Sequence, residues 1–196
     1  MKRTILSALI IFVGMHLYSQ SSFIMSYPIA FPMGDLHDYT TKTSFRGFNM
    51  EFLHHAQPGI VVGVETGWNV FYERVDKQDY KQGTATISGV QYRYTNSVPI
   101  LAETKFYPVK DSKMTNPYVG AGVGTLYVSR STDFGLYRIN KDGWQFCLRP
   151  EAGIVINMQP GLKAMLGVKY YVALNSSDLD GQSFLSANVG LVFTSL

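Results

Sequence analysis

WQFCLRPEAGIVIN, residues 144–157, alternates apolar side chains with polar or small ones along its whole length. The apolar set comprises Trp144, Phe146, Leu148, Pro150, Ala152, Ile154 and Ile156. The other set includes Arg149 and Glu151. A period of two predicts a β-strand whose faces meet different environments. The stretch is longer than the usual strand of about 5–6 residues, and it matches the roughly 10-residue alternating segments of a transmembrane barrel.

The first twenty residues have the pattern of an export signal. Lys2 and Arg3 precede an apolar run from Ile5 to Val13, and Ser19 offers a cleavage point before Gln20. The run is too short to span a membrane comfortably. We therefore expect residues 1–20 to be a cleaved signal peptide and residues 21–196 to form one domain.

The composition of the exported part excludes several classes of protein. Of 17 basic and 14 acidic residues, two basic ones lie in the signal, which leaves 15 basic against 14 acidic. This balance does not favour nucleic-acid binding. After residue 20 there is no apolar run of about 18 residues, so no transmembrane helix is predicted. Because lipid cannot satisfy open backbone groups, an exported membrane protein without helical spans must form a closed barrel.

Eight segments have strand-like alternation. They are residues 23–33, 45–54, 60–72, 97–107, 117–129, 144–157, 162–174 and 183–193. Tight turns are predicted at Gln57-Pro58-Gly59 and Gln159-Pro160-Gly161, since Pro presets φ and Gly accepts a positive φ. The longer polar connections are residues 34–44, 73–96, 130–143 and 175–182. This layout predicts an eight-stranded antiparallel up-and-down transmembrane β-barrel with short periplasmic turns and long extracellular loops.

Aromatic residues near the ends of the segments suggest two girdles at the membrane surfaces. Trp68, Tyr72 and Trp144 are expected on the loop side. Phe52, Phe106 and Phe193 are expected on the turn side.

The inward positions carry equal numbers of acidic and basic residues. They are Glu51, Glu65, Glu103, Glu151, Lys105, Arg149, Lys163 and Lys169. An eight-stranded barrel has an interior just wide enough for side chains, and paired charges are tolerable there where a single charge is not. We expect a salt-bridge network that plugs the lumen. The alternative is that several of these residues lie at the wet ends of the barrel and pair with nothing.

No catalytic or cofactor site is predicted. No one strand face combines a nucleophile or base with an orienting acid, and no segment has the full spacing of a metal-binding loop. We therefore expect a protein that is not an enzyme and that has no cofactor or metal.

Three segments carry a resemblance to a known group of proteins. Residues 116–124 (NPYVGAGVG), residues 98–100 (VPI) and the final Gly-Leu-Val-Phe resemble small eight-stranded outer-membrane barrels of the outer-membrane-protein-A and -W type. The signal is similar to those of Bacteroidetes members. The resemblance implies a place in the outer membrane of a Gram-negative cell, contacts with outer-membrane lipid and lipopolysaccharide, and insertion by the barrel-assembly machinery. Such chains usually end on an aromatic residue, whereas here Phe193 is followed by Thr194-Ser195-Leu196.

The resulting functional hypothesis is a non-enzymatic structural or surface-interaction barrel with a plugged lumen, whose extracellular ligand is not identified. The first alternative is a narrow channel or transporter for small hydrophobic molecules. The second is a secreted ligand-binding barrel of lipocalin type, which would be apolar inside and polar outside.

Overall fold

The computed structural model describes residues 21–82, 85–108, 114–134, 137–176 and 179–195. The expected signal peptide, residues 1–20, lies outside this range. The elements are β1 (Ser21–Met33), α1 (Gly34–Tyr39), β2 (Gly47–Gln57), β3 (Ile60–Gln82), β4 (Ala85–Phe106), β5 (Thr115–Phe134), β6 (Tyr137–Gln159), β7 (Leu162–Ala173) and β8 (Gln182–Thr194).

The eight strands form a closed ring. Each strand pairs antiparallel with its neighbour in sequence, and β1 pairs with β8 to complete the barrel. The predicted up-and-down topology is therefore confirmed. Within the described residues, α1 is a helix of 6 residues, and no helix there is long and apolar enough for a membrane span.

Both ends of the described chain lie on the same side of the barrel. The backbone N–H of Ser195 donates to the carbonyl of Ser21 at 3.0 Å. The tight turns at Gly59 and Gly161 are on this side and have φ values of +83° and +79°, as the two Gln-Pro-Gly sequences predict. We call this side the turn end, and the opposite side, which carries α1, the loop end.

The alternation in the sequence corresponds to an outer and an inner face. On β6, Trp144 and Leu148 are 55% and 45% exposed on the outside, whereas Arg149 on the inside is 0% exposed. The same pattern holds on the other strands. A surface with large apolar side chains outside and charged ones inside is that of a transmembrane barrel, and it is opposite to the polarity of a lipocalin-type barrel.

Two of the predicted loops are largely strand. Residues 73–82 and 85–96 continue β3 and β4 as a long hairpin, and residues 130–134 and 137–143 do the same for β5 and β6. The prediction placed loops here because the residues are polar. The first hairpin nevertheless contains several Thr, Tyr, Val and Ile residues, which favour strands, and polar side chains are compatible with a sheet that is exposed to water on both faces.

The first strand is regular despite its two prolines. Pairing between β1 and β2 ends at Ser26 opposite Asn49. Beyond it, Ala30 bonds to Ser44 through an isolated bridge. Pro28 and Pro32 lie two residues before and after Ala30, so their backbone nitrogens point to the same edge of β1, the edge where pairing with β2 has ended. The missing N–H groups therefore remove no hydrogen bond from a ladder.

Candidate functional site

Five strands direct charged side chains into one level of the barrel interior. The register places Glu51 of β2 opposite Glu65 of β3, and Glu151 of β6 opposite Lys169 of β7. On β5, Gly120 lies between Lys105 and Glu151, and Gly122 lies between Glu103 and Arg149.

The glycines of β5 give the long charged side chains their space. A Cβ atom at Gly120 would lie 2.7 Å from Glu151 Oε1, and one at Gly122 would lie 3.1 Å from Arg149 Nε. Any larger residue at these positions would displace the carboxylate or the guanidinium.

Seven of the eight predicted lumen residues form a single set of ion pairs, which we call the ionic layer. Its members are Glu51, Glu65, Glu103, Lys105, Arg149, Glu151 and Lys169. All seven side chains are 0% exposed. Removing one partner of such a buried pair leaves the other charge uncompensated, which is strongly destabilising.

Arg149 is the centre of one half of the layer. Its Nη1 lies 2.7 Å from Glu151 Oε2, and its Nη2 lies 2.7 Å from Glu65 Oε2 and also donates to Glu103 Oε2. A guanidinium offers five N–H donors in a rigid plane. Arg149 can therefore contact carboxylates from three different strands at once.

Glu51 is the centre of the other half. Its Oε1 accepts a hydrogen bond from Lys169 Nζ at 2.5 Å, and its Oε2 accepts one from Lys105 Nζ. Lys169 Nζ also lies 3.1 Å from Glu65 Oε2. Lys169 thus links the two halves through Glu65.

Lys163 does not belong to the ionic layer. It lies half-exposed near the turn at Gly161, opposite Asn157. Within the described part of the chain it makes no ion pair with an acidic residue. The alternation places Lys163 on the inner face. It lies only two residues after Gly161, however, at the turn end of the barrel and away from the level of the buried carboxylates.

Two tyrosines, which are not among the eight predicted lumen residues, contact the ionic layer. The Tyr171 hydroxyl donates to Glu65 Oε1, and Lys105 Nζ lies over the Tyr118 ring at 5.0 Å from its centroid. Tyr171 lies two residues after Lys169 on β7, so the alternation places it on the inner face, although it does not reveal the hydrogen bond to Glu65.

Three carboxylates of the layer have a geometry that resembles a cation site. Oxygens of Glu51, Glu103 and Glu151 lie within 4.8 Å of one another. Lys105 Nζ is hydrogen-bonded to Glu51, 3.5 Å from Glu151 and 4.0 Å from Glu103. The lysine ammonium therefore supplies the positive charge that a metal ion would otherwise bring.

Apolar side chains fill the barrel on both sides of the ionic layer. The lower apolar layer, at the turn end, comprises Ile24, Leu53, Val61, Tyr118, Val155, Met165 and Val192. The upper apolar layer, at the loop end, comprises Ala30, Leu36, Phe71, Leu101, Leu126, Val128, Cys147, Tyr171, Ala173, Leu179 and Phe184. In the upper layer the Phe184 ring packs against Tyr171 and Phe71, with centroids 4.4 Å and 5.3 Å apart.

The segment after β1 covers the loop end of the barrel. Leu36 of α1 is fully buried in the upper apolar layer. The Tyr39 hydroxyl donates to the Ser131 carbonyl at 2.9 Å, and Arg130 lies over the Tyr39 ring at 4.4 Å from its centroid. Burial raises the pKa of Tyr39. Buried side chains thus lie inside the barrel from the turn end to α1.

The predicted girdle residues lie on the outer surface. Trp68, Trp144, Phe52, Phe106 and Phe193 are each about half exposed there, and Tyr72 is partly exposed. Trp68 and Trp144 do not end their strands, since β3 and β6 continue beyond them. On β6 the outward residues become polar directly beyond Trp144, whereas on β3 Val70 and Tyr72 follow Trp68 before Arg74.

The spacing of the outward residues fits the thickness of a membrane. Trp144 and Ile154 are ten residues apart on β6, which is about 33 Å along a strand. At the strand tilt of about 40° usual in such barrels, the height is about 25 Å, the typical thickness of the apolar band.

Comparison with known proteins supports this fold. No family model and no curated protein matches the sequence. Among solved structures, Ail of Yersinia pestis is similar with a TM-score of 0.56 and 14% identity, covering 90% of this chain and 99% of Ail. Neisserial surface protein A has a TM-score of 0.54 and 13% identity, with 89% and 95% covered. The N-terminal barrel domain of OprF from Pseudomonas aeruginosa has a TM-score of 0.54 and 8% identity, with 90% and 98% covered.

These similarities and the geometry define one class of protein. The chain has the fold of the small eight-stranded transmembrane β-barrels found in bacterial outer membranes. At identities this low, the similarity concerns the fold alone.

Proposed function

We propose that this protein is a non-enzymatic barrel of the outer membrane whose lumen is closed by its own side chains and whose surface role lies in its extracellular hairpins. Residues 1–20 serve as the export signal, and the barrel-assembly machinery inserts the exported chain. In this orientation the turn end is periplasmic and the loop end is extracellular. The observation that carries the proposal is the continuous filling of the interior by the two apolar layers and the ionic layer between them.

Closure of the lumen follows from the order of the layers. A hydrated ion entering from either end would first meet an apolar layer, where loss of its water is costly. It would then meet carboxylates and ammonium groups that are already paired with one another. Passage would therefore require several ion pairs to separate at the same time.

The extracellular hairpins supply the surface for interaction. β3 contains 23 residues, whereas about 10–12 suffice to cross the membrane. β3, β4, β5 and β6 therefore extend well above the girdle, while β1, β7 and β8 end close to it. Because these four strands are neighbours, the part of the sheet that projects beyond the girdle lies on one side of the loop end.

Basic residues on the outer face of this region suit the anionic groups of lipopolysaccharide. Arg46 is exposed and lies over the Tyr72 ring at 5.6 Å, beside the girdle. Arg74 and Arg138 lie higher, with side chains 58% and 61% exposed. Guanidinium groups bind phosphate oxygens through paired hydrogen bonds. We propose Arg46 as the contact nearest the lipid phosphates.

Conductance in planar lipid bilayers tests the closed lumen. The wild-type barrel is expected to show no steady openings. A variant with Phe71→Ala, Phe184→Ala and Arg149→Ala is expected to conduct, because it loses two large rings and the central guanidinium.

The outward variant Val123→Ala serves as the control and should remain closed, since Val123 faces lipid. Steady openings of the wild-type protein would contradict the closed lumen and favour a transport function.

A further inference from the structure

The ionic layer contains one more acidic group than basic groups. Glu51, Glu65, Glu103 and Glu151 face Lys105, Arg149 and Lys169. No other basic side chain joins them within the described residues, and the apolar layers separate them from both ends. If all four carboxyl groups were ionised, the layer would retain one uncompensated negative charge. A buried group in this position takes up a proton rather than remain charged.

The contacts identify the carboxyl group that carries the proton. Both oxygens of Glu51 contact an ammonium group, and both oxygens of Glu65 accept hydrogen bonds or ion pairs from Tyr171 and Arg149. Glu151 contacts Arg149 through Oε2 at 2.7 Å and Lys105 through Oε1 at 3.5 Å.

Glu103 differs from the other three. Its Oε2 contacts Arg149 and lies 4.0 Å from Lys105. Its Oε1 is buried and has no hydrogen-bond partner among the residues that the structure describes. It is therefore the carboxyl group with one oxygen that no cation neutralises.

We propose that Glu103 binds one exchangeable proton on Oε1 at neutral pH and thereby makes the ionic layer electrically neutral. The proton comes from solvent as the barrel assembles: one carboxylate and one proton give one carboxylic acid, with no change of oxidation state. The inference rests on the proposed closed lumen, because a carboxylate open to water would need no neutralisation.

The groups around Glu103 come from six strands. They are Glu51 of β2, Glu65 of β3, Lys105 of β4, Tyr118 of β5, Arg149 and Glu151 of β6, and Lys169 and Tyr171 of β7. The inward residues of β1 and β8 at this level are uncharged, among them Ser26, Ser186 and Asn188. The three basic groups are thus balanced by the other three carboxylates, and ionisation of Glu103 would add an unbalanced charge.

The proposal has a defined consequence for stability. The unfolded chain loses the Glu103 proton near the ordinary Glu value of about 4.3, whereas the folded barrel keeps it at neutral pH. The folded state then binds one more proton than the unfolded state, so this component of the stability decreases as the pH rises. Glu103→Gln removes that component, because an amide does not ionise.

Infrared spectroscopy of the full barrel in lipid tests the proton directly. The wild-type protein should show the C=O stretch of a protonated carboxylic acid at neutral pH. Glu103→Gln should lose this band and fold as stably as the wild type. The control Glu73→Gln, which changes a carboxylate that binds Thr41 at the loop end, should retain it.

Absence of the band from the wild-type protein would overturn the proposal. Persistence of the band in Glu103→Gln would also overturn it, and so would failure of that variant to fold. Conductance of the same samples separates this inference from the proposed function. Steady openings would contradict the closed lumen, whereas the band alone decides whether Glu103 carries the proton.

Discussion

Arg149 contacts three of the four buried carboxylates, and its side chain is 0% exposed. The alternation in residues 144–157 was enough to place it inside the barrel. It was not enough to choose all of its partners: Glu151 lies on the same strand, but Glu65 and Glu103 lie on β3 and β4, and their approach depends on the register of strands far apart in sequence. The alternation likewise placed Tyr171 inside but did not give its partner, because Glu65 lies on a strand far away in sequence.

Arg149→Met is expected to destabilise the barrel by about 3–5 kcal/mol, since it leaves Glu65, Glu103 and Glu151 without their shared partner. Unfolding by urea in lipid vesicles, followed by tryptophan fluorescence, measures the change. The matched control is Arg138→Met, which breaks an exposed pair with Asp133 and should leave the unfolding midpoint unchanged. Equal midpoints for Arg149→Met and the wild type would contradict a stabilising ionic layer.

Among the elements, the sequence predicted each of the eight strands, their antiparallel order and which side chains of each strand point outward. It also predicted the two Gln-Pro-Gly turns. It did not indicate how far β3, β4, β5 and β6 continue. Outside the membrane both faces of a hairpin are wet, so the contrast between apolar and polar positions disappears while the strand continues. α1 was also unexpected, since a helix of 6 residues has too few turns to produce a periodic pattern.

Tyr39 is expected to hold the segment after β1 against β5. Tyr39→Ala should make residues 34–46 sensitive to protease added outside, because it removes the hydrogen bond to Ser131 and the contact with Arg130. Tyr39→Phe keeps the ring over which Arg130 lies and should show a smaller effect.

The same contact has a predictable pH dependence. Since burial raises the pKa of Tyr39 above its usual value of 10.0, its contribution is complete below that value and is lost as the pH rises through the folded-state pKa. Protease sensitivity of the wild type should therefore increase above about pH 10, and Tyr39→Phe should lack this step. A wild-type segment whose sensitivity does not change with pH would contradict the buried hydroxyl.

For the whole molecule, the apolar outer face decides the environment in which the barrel is stable. This face could be derived from the sequence because lipid imposes the same requirement on every strand, and each strand shows it independently. The two apolar layers inside the barrel could not, since inward Phe71, Leu126 and Phe184 break the rule that inner positions are polar. In an eight-stranded barrel the interior is narrow enough for inward side chains to pack against one another, so apolar residues are also favourable there.

Leu148→Arg tests the depth assigned to the outer face. Leu148 is 45% exposed on the outside of β6, between Trp144 and Ile154 and therefore near the middle of the apolar band, and an arginine there should cost about 2–4 kcal/mol. Asn140→Arg is the matched control, because Asn140 faces outward on β6 beyond Trp144. Unfolding in vesicles should be unaffected by the control, and similar losses from both variants would contradict the position of the membrane.

The seam between β1 and β8 runs from Ser22 opposite Thr194 to Met33 opposite Ser183. It joins the first strand of the barrel to the eighth. No other strand can seal the cylinder, and a chain truncated before β8 would expose two unpaired edges to hydrocarbon. Closure is consequently the last step: the ring stays open at β1 and β7 until β8 has been added.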